Sequence, residues 1–425
     1  MIEKKAIERG KRMYILEATF EYLISLLVSG SFLALLTKTL GMSDSLTGIL
    51  SSIISLGCLF QMLSLFIRKA RVKRFVVIMS ILNQVMFMLL FVIPLTGLGK
   101  QIKVVLFIVI IIGAYFIYNI AHPKKINWLM SLVEDENRGK FTAKKEMVSL
   151  ILGMVFSYSM GAVVDYFKSI NEIRIAFIIS AIVIFLIMIC HTLSMIFAVE
   201  KSQIEIKERK IKDSFLELIK NKDVLSVTLL FVLYNIATYS ARPFYGTYTI
   251  GELGFSLKFV SLLTICGSVV RIAISFFWGR YADRKSFAHM IEKCLLIMVA
   301  EYACVAMAVP SNGKIMFTLY YVLNGMAMGG INSALINLIY DYVSVERRAD
   351  SLAICQSAAG VTGFVATLAV SPLVSAIQNN GNTFMGVSVY AQQVVSMIAV
   401  VIAVIAILYV RFVLIKKRKA RKVEV

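Results

Sequence analysis

Twelve apolar stretches of about twenty residues, separated by short charged segments, run the length of the chain and leave little room for any other kind of structure. A hydrocarbon core about 30 Å thick needs about 20 helical residues per crossing. With that ruler the spans fall at 14–37, 46–67, 75–96, 103–122, 147–167, 174–198, 224–247, 256–278, 289–309, 315–338, 350–375 and 390–414. The 425 residues are 59% hydrophobic and 16% charged, against about 45–50% and about 25% in a soluble domain, which excludes a water-soluble fold. An outer-membrane barrel would show alternating segments of about ten residues, and a disordered chain would be polar. The expectation is an all-α membrane protein of twelve transmembrane helices.

Charge then sets direction. Of the 45 Lys and Arg, 36 fall in one alternate set of segments, counting Arg411 at the edge of the last span with the C-terminal charges. The opposite set holds seven, charges at span edges being counted with the adjoining segment, and only Arg242 and Arg271 lie deeper within spans. Cytoplasmic loops are enriched in these residues, so both termini are expected in the cytoplasm. The formal charge of +20 is thereby explained without nucleic acid. Basic residues Lys4 to Arg12 lead into a hydrophobic stretch longer than a signal-peptide core of about 7–15 residues, and it is expected to remain as the first span. The six cysteines lie inside apolar stretches with no C-x-x-C pair, and read as small buried hydrophobes rather than disulfides or metal ligands. His122, His191 and His289 are too dispersed for an H-E-x-x-H site, and no nucleotide-binding glycine loop is present. Neither a metal nor a cofactor is expected.

The chain also repeats itself at an offset of 210. Ile126, Asn127, Val133, Glu136 and Arg138 align with Ile336, Asn337, Val343, Glu346 and Arg348, and Gly153 aligns with Gly363. Parallel halves around a site at the membrane midplane are a transporter plan. Two six-helix halves follow, 1–198 and 224–425, joined by a polar loop at 199–223. The segment Gly279-Arg-Tyr-Ala-Asp283-Arg284-Lys285 is similar to the cytoplasmic signature G-x-x-x-D-R-x-G-R, with Ser286 and Phe287 in place of its final Gly and basic residue. The equivalent after the second span has Arg68 for Gly and Val72 for Asp. With its spans, halves and central loop, the chain resembles the major facilitator superfamily over essentially its full length. The resemblance implies a cytoplasmic gate in which Asp283 faces a helix N-terminus and nearby arginines. Gly279, Arg284, Arg138 and Arg348 are assigned to it, and a carboxylate at a helix N-terminus is favourable. A tight turn carrying ordinary cytoplasmic charge is the plainer reading.

Polar side chains in lipid find no partners, so they are expected to line the bundle interior at helical spacing. Four spans show such rows: Glu17, Glu21, Ser25 and Ser29; Tyr115, Tyr118, Asn119 and His122; Asn235, Thr238, Tyr239 and Arg242; Tyr321, Asn324, Gly325 and Asn332. They belong to spans 1, 4, 7 and 10, the cavity-lining helices of the family resembled. Glu21 and Arg271 each lie about 10 Å from the cytoplasmic end of their spans, a depth that permits an ion pair. Glu301 is a second partner for Arg271. A carboxyl desolvated in one conformation and solvated in another changes its proton affinity, which makes Glu21 the first proton-carrying candidate, with Arg271, Glu17 and Glu301 beside it. The competing reading has Glu17 and Glu21 balancing Lys11 and Arg12, with Arg271 reaching to the headgroups. Arg242 precedes Pro243, where the helix is weakened, and suits an anionic solute, an outer gate or an interfacial anchor.

The sequence thus points to a secondary active transporter of a small organic solute, proton-coupled, working by alternating access as a monomer in a bacterial cytoplasmic membrane. A transporter-like sensor or scaffold is the alternative. An enzyme lacks a nucleophile–base or metal-ligand constellation. Membrane lipids, the solute and protons are the expected partners.

Overall fold

The computed structural model describes residues 2–57, 72–134, 138–200, 221–342 and 348–416, with the side chains of Arg138, Asp283 and Arg348 outside that description. It is almost wholly helical and divides into two compact units. Unit 1 comprises Met1–Ile206, Thr249–Gly251 and Phe255–Ser261, and unit 2 comprises Lys207–Tyr248, Glu252–Gly254 and Leu262–Val425.

Unit 1 opens with α1 (Ile2–Leu27) and α2 (Gly30–Thr39), expected as one span but bent by 42° at their junction. The cause is local. Gly30 sits at φ 53°, a left-handed conformation that a side chain would strain. Just before it the hydroxyls of Ser25 and Ser29 bond back to the carbonyls of Tyr22 and Ser25, both at 2.7 Å, which bends helices. There follow α3 (Asp44–Ser52), capped by Ser43 accepting from Leu46 N, then α4 (Val72–Val92), α5 (Lys100–Met130), α6 (Arg138–Ser169) and α7 (Ile173–Phe197). Helix α1 packs on α6 and α7, and α4 on α5 and α7.

Helix α5 is the main departure from the expected boundaries. Its apolar run ends at His122, yet the helix continues through Pro123 to Met130. Proline removes one backbone donor, and the extension is held by tertiary contacts instead. Trp128 is fully buried with Tyr14, Val76 and Met195, and its indole donates to Val199 O at 3.1 Å. Residues 123–130, expected in a loop, are therefore part of the helix, with Trp128 packed in the core.

In unit 2, Asn221 caps α8 (Lys222–Ala241) by accepting from Asp223 N and Val224 N. At Pro243 the helix changes type, through a 3₁₀ turn at Arg242–Phe244 and one α-turn to a π-helical end at Tyr248–Glu252. Helix α9 (Leu257–Arg284) leads to α10 (Phe287–Ala306), capped by Ser286, then to α11 (Gly313–Tyr342), α12 (Arg348–Asn379) and α13 (Ala391–Tyr409). A two-stranded hairpin, Thr383–Phe384 with Val387–Ser388, fills the connection before α13, turning on Met385 and Gly386, both at positive φ. Helix α10 packs on α11 and α13, and α8 on α12 and α13.

Among the described residues nine helices are long and apolar enough to cross a membrane, ten if the bent α1–α2 pair is one span. The expected second span is described only to Gly57, and α10 carries Glu292, Lys293 and Glu301, too many charges to qualify on composition alone. The outward faces are those of an integral multi-pass membrane protein. On α7 the exposed side chains are Ile178, Ile182, Leu186, Ile189, Leu193 and Ile196, one stripe at helical spacing, while Ser180, His191 and Ser194 are buried. The cysteines divide in the same way. Cys294 and Cys355 are buried free thiols, but Cys190 is exposed, because apolar residues here face lipid as well as core; Cys58 lies outside the described residues.

Candidate functional site

Three helices of unit 1 bring a charged cluster together. Glu17 and Glu21 stand one turn apart on α1, and Tyr118, His122 and Lys125 recur on one face of α5. The Lys125 ammonium donates to a Glu17 oxygen at 2.7 Å and to Glu21 Oε2, and Tyr118 OH lies 3.4 Å from Glu21 Oε1. From α7, His191 Nε2 meets Glu17 Oε1 at 3.1 Å. Side-chain exposure is 1% for Glu17, 3% for Lys125 and 0% for His191, against 22% for Glu21. Glu17, Lys125 and His191 are sealed in, whereas Glu21 reaches accessible space. His191 Nδ1 is buried with no acceptor among the described residues, which fits the tautomer whose proton sits on Nε2 and is donated to Glu17. The cluster thus sets two carboxyl groups against one ammonium and one imidazole.

Beside Glu21 lies a cavity of about 260 Å³, walled by Ser25, Gln84, Phe87, Tyr115 and Tyr118 among others. Phe87 and Tyr115 pack edge to face with centroids 5.4 Å apart. Asn83 Nδ2 donates across helices to Ala114 O at 2.8 Å, whereas Gln84 Oε1 is buried with no partner among the described residues. Asn119, expected in the pathway, is buried and donates to Tyr115 O at 2.8 Å in its own helix.

Unit 2 holds a second buried pair. Arg242, at the break in α8, donates to Glu301 Oε1 at 2.7 Å, and Asn324 Nδ2 reaches Glu301 Oε2 at 3.2 Å. Glu301 is fully buried and Arg242 21% exposed. The guanidinium lies 5.9 Å from the Tyr302 ring, and its NH1 lies 3.9 Å from Met328 Sδ. Tyr320 and Tyr321 stack edge to face at 5.2 Å nearby in sequence. Asn235 donates to Phe231 O at 3.0 Å, the Tyr239 ring fills the space that a side chain at Gly363 would occupy, and Asn332 is exposed. Gly325 permits close helix approach: a Cβ there would stand 2.2 Å from Gly267 O of α9.

Within unit 2 the expected pairing of Glu301 with Arg271 is corrected, since Glu301 is matched by Arg242; within unit 1, Glu21 is matched by Lys125. Arg271 is half-buried with no ion pair among the described residues. Nor does Glu17 balance the N-terminal basic residues, since Lys11 bonds Glu8 at 2.9 Å. Lys125 and Gln84 were missed as site residues. Lys125 was hidden by its position after Pro123, although its spacing of three from His122 and seven from Tyr118 was visible. The signature-like segment is not a loop: Gly279 and Arg284 are exposed in the last turns of α9, while the side chains of Asp283, Arg138 and Arg348 lie outside the described residues. Glu17, Glu21 and His191 each offer a metal-ligand atom within 4.8 Å of the others, but the Lys125 ammonium already contacts both carboxylates.

The whole chain matches known transporters. It superposes on a variant of the nucleoside transporter NupG with TM-score 0.71 and 12% identity, over 95% of this chain and 99% of that one. A D-xylose–proton symporter gives 0.67 and 14%, over 95% and 97%, and a bacterial homologue of the iron transporter ferroportin gives 0.67 and 13%, over 95% and 98%. At these identities the likeness shows fold alone. No curated protein sequence matches the chain. The family profile described as Major Facilitator Superfamily matches residues 16–367 and again 227–424, spanning nearly every helix described above. Lipid-facing helices, buried ion pairs and this match agree, and the chain belongs to the major facilitator superfamily of membrane transporters.

Proposed function

We propose that the chain is a proton-coupled secondary transporter that moves a small organic solute by alternating access. In this reading twelve spans form two six-helix halves, 1–198 and 224–425, joined at 199–223, and both termini face the cytoplasm of a bacterium. The protein acts as a monomer, and Gly279, Asp283, Arg284, Arg138 and Arg348 form the cytoplasmic gate. One observation carries the coupling: a cluster with one more carboxylate than ammonium, in which Glu17, Lys125 and His191 are sealed in and Glu21 meets accessible space. A charge at a helix centre in lipid costs about 2.5–3.5 kcal/mol, so the surplus calls for a compensating cation, and a proton is the smallest. The groups facing Glu21 are Glu17 from α1, Tyr118, His122 and Lys125 from α5 and His191 from α7. When the surroundings of Glu21 change between the two access states its proton affinity changes with them, which ties proton movement to solute movement.

The test is solute-driven pH change inside proteoliposomes, followed with a trapped pH dye across a solute library. Wild-type protein moves protons when its solute is supplied, and Glu21→Gln abolishes that signal. Proton movement unchanged in Glu21→Gln at every pH refutes the assignment. Solute binding with no movement of solute or proton supports a sensor instead.

A further inference from the structure

The polar groups around the unit 1 cavity are unequal in kind. Four of its donors are already used inside the protein: Asn83 on Ala114 O, Ser25 on Tyr22 O, Ser29 on Ser25 O, and Tyr118 OH on Glu21. Two acceptors stand beside them. Gln84 is 2% exposed, with Oε1 unpartnered among the described residues, and the Glu21 carboxylate has lone pairs beyond those used by Tyr118 and Lys125. No Lys or Arg is among the described residues that line the cavity, and Phe87, Tyr115 and Tyr118 present aromatic rings to it. Acceptors, one of them the Glu21 carboxylate, and aromatic rings together suit a ligand that brings N–H donors and positive charge.

Resting on the reading of this cavity as part of the solute pathway, we infer that the cargo is an organic amine, bound as its ammonium. Its N–H groups donate to Glu21 and to Gln84 Oε1, and its apolar body lies along Phe87 and Tyr115. Lys125 is the internal precedent, an alkylammonium already seated against the same Glu21.

Isothermal titration of the full chain in detergent micelles with phenethylamine, 3-phenylpropionate and 2-phenylethanol tests this, because the three share a ring and a short arm and differ in charge. Only the amine is expected to bind. Glu21→Gln weakens it at least about tenfold, the usual scale for a hydrogen bond to a charged group. Gln84→Leu weakens it several-fold, and Gln84→Glu tightens it. Failure of the amine to bind, binding of 3-phenylpropionate as tight as that of the amine, or amine affinity unchanged in Glu21→Gln overturns the inference. The wild-type comparison of amine with acid decides the matter even if a variant does not fold. Glu21-dependent proton movement driven by a non-amine solute would remove the amine and leave the coupling standing. Amine binding that depends on Glu21 and Gln84, without proton movement, would remove the coupling and leave the ligand class.

Discussion

Replacing Lys125 with Met separates a buried counter-ion from a loop lysine. Methionine keeps most of the apolar stem and deletes the ammonium, which leaves Glu17, 1% exposed, and Glu21 facing each other with no cation between them. Removing one partner of a buried ion pair costs about 3–5 kcal/mol, because the charge left behind has lost both water and its mate. An exposed loop lysine would cost within about 0.5 kcal/mol. Reversible unfolding in mixed micelles resolves these values, with Lys124→Met as the neighbouring control, expected to lose far less. The double variant Lys125→Met, Glu17→Gln removes one of the two stranded charges, and it should recover a large part of the loss, giving a coupling of about 0.5–3 kcal/mol in the cycle. If Lys125→Met unfolds as readily as Lys124→Met, or the double variant is simply the sum of its parts, the cluster is not what holds these helices together.

In unit 2, Arg242→Met strands the fully buried Glu301 and should destabilise by about 3–5 kcal/mol, with partial recovery in Arg242→Met, Glu301→Gln; Arg271→Met should show no such coupling to Glu301 in the same unfolding assay. Gly325→Val places a side chain where Gly267 O lies 2.2 Å from the Cβ position, so α9 and α11 must part, at about 1–3 kcal/mol, read as a lowered unfolding midpoint in detergent.

The chain's membrane class was legible because hydrocarbon permits few solutions, and unbroken apolar runs show which was taken. Glu17 and Glu21, and Tyr115, Tyr118 and Asn119, could be placed on shared faces because helical spacing is a local property. Lys125 was obscured by the opposite logic: hydropathy reports where lipid contact ends, not where a helix ends, and Pro123 after an apolar run reads as a boundary. What carries α5 past it is Trp128 packing on residues more than fifty positions away, which no local pattern records. The same holds for partner choice. Equal depth made Arg271 a candidate for either acid, but Glu301 takes Arg242, 59 residues earlier in the chain, because the break before Pro243 places that guanidinium beside α10. Asn83 and Gln84 both border the cavity, and what distinguishes them is the pairing of Asn83 Nδ2 with Ala114 O against the unpartnered Gln84 Oε1, which no local pattern records.

The seating of Lys125 also has a consequence for how the chain is made. Glu21 leaves the ribosome 104 residues ahead of its ammonium, a delay on the order of 5–20 s at ordinary elongation speeds of about 5–20 residues per second. His191 is later still. For that interval the two acids of the opening helix are without the ammonium that faces them in the folded chain. The contacts that fix these two acids are therefore completed only after α5 and α7 have been made.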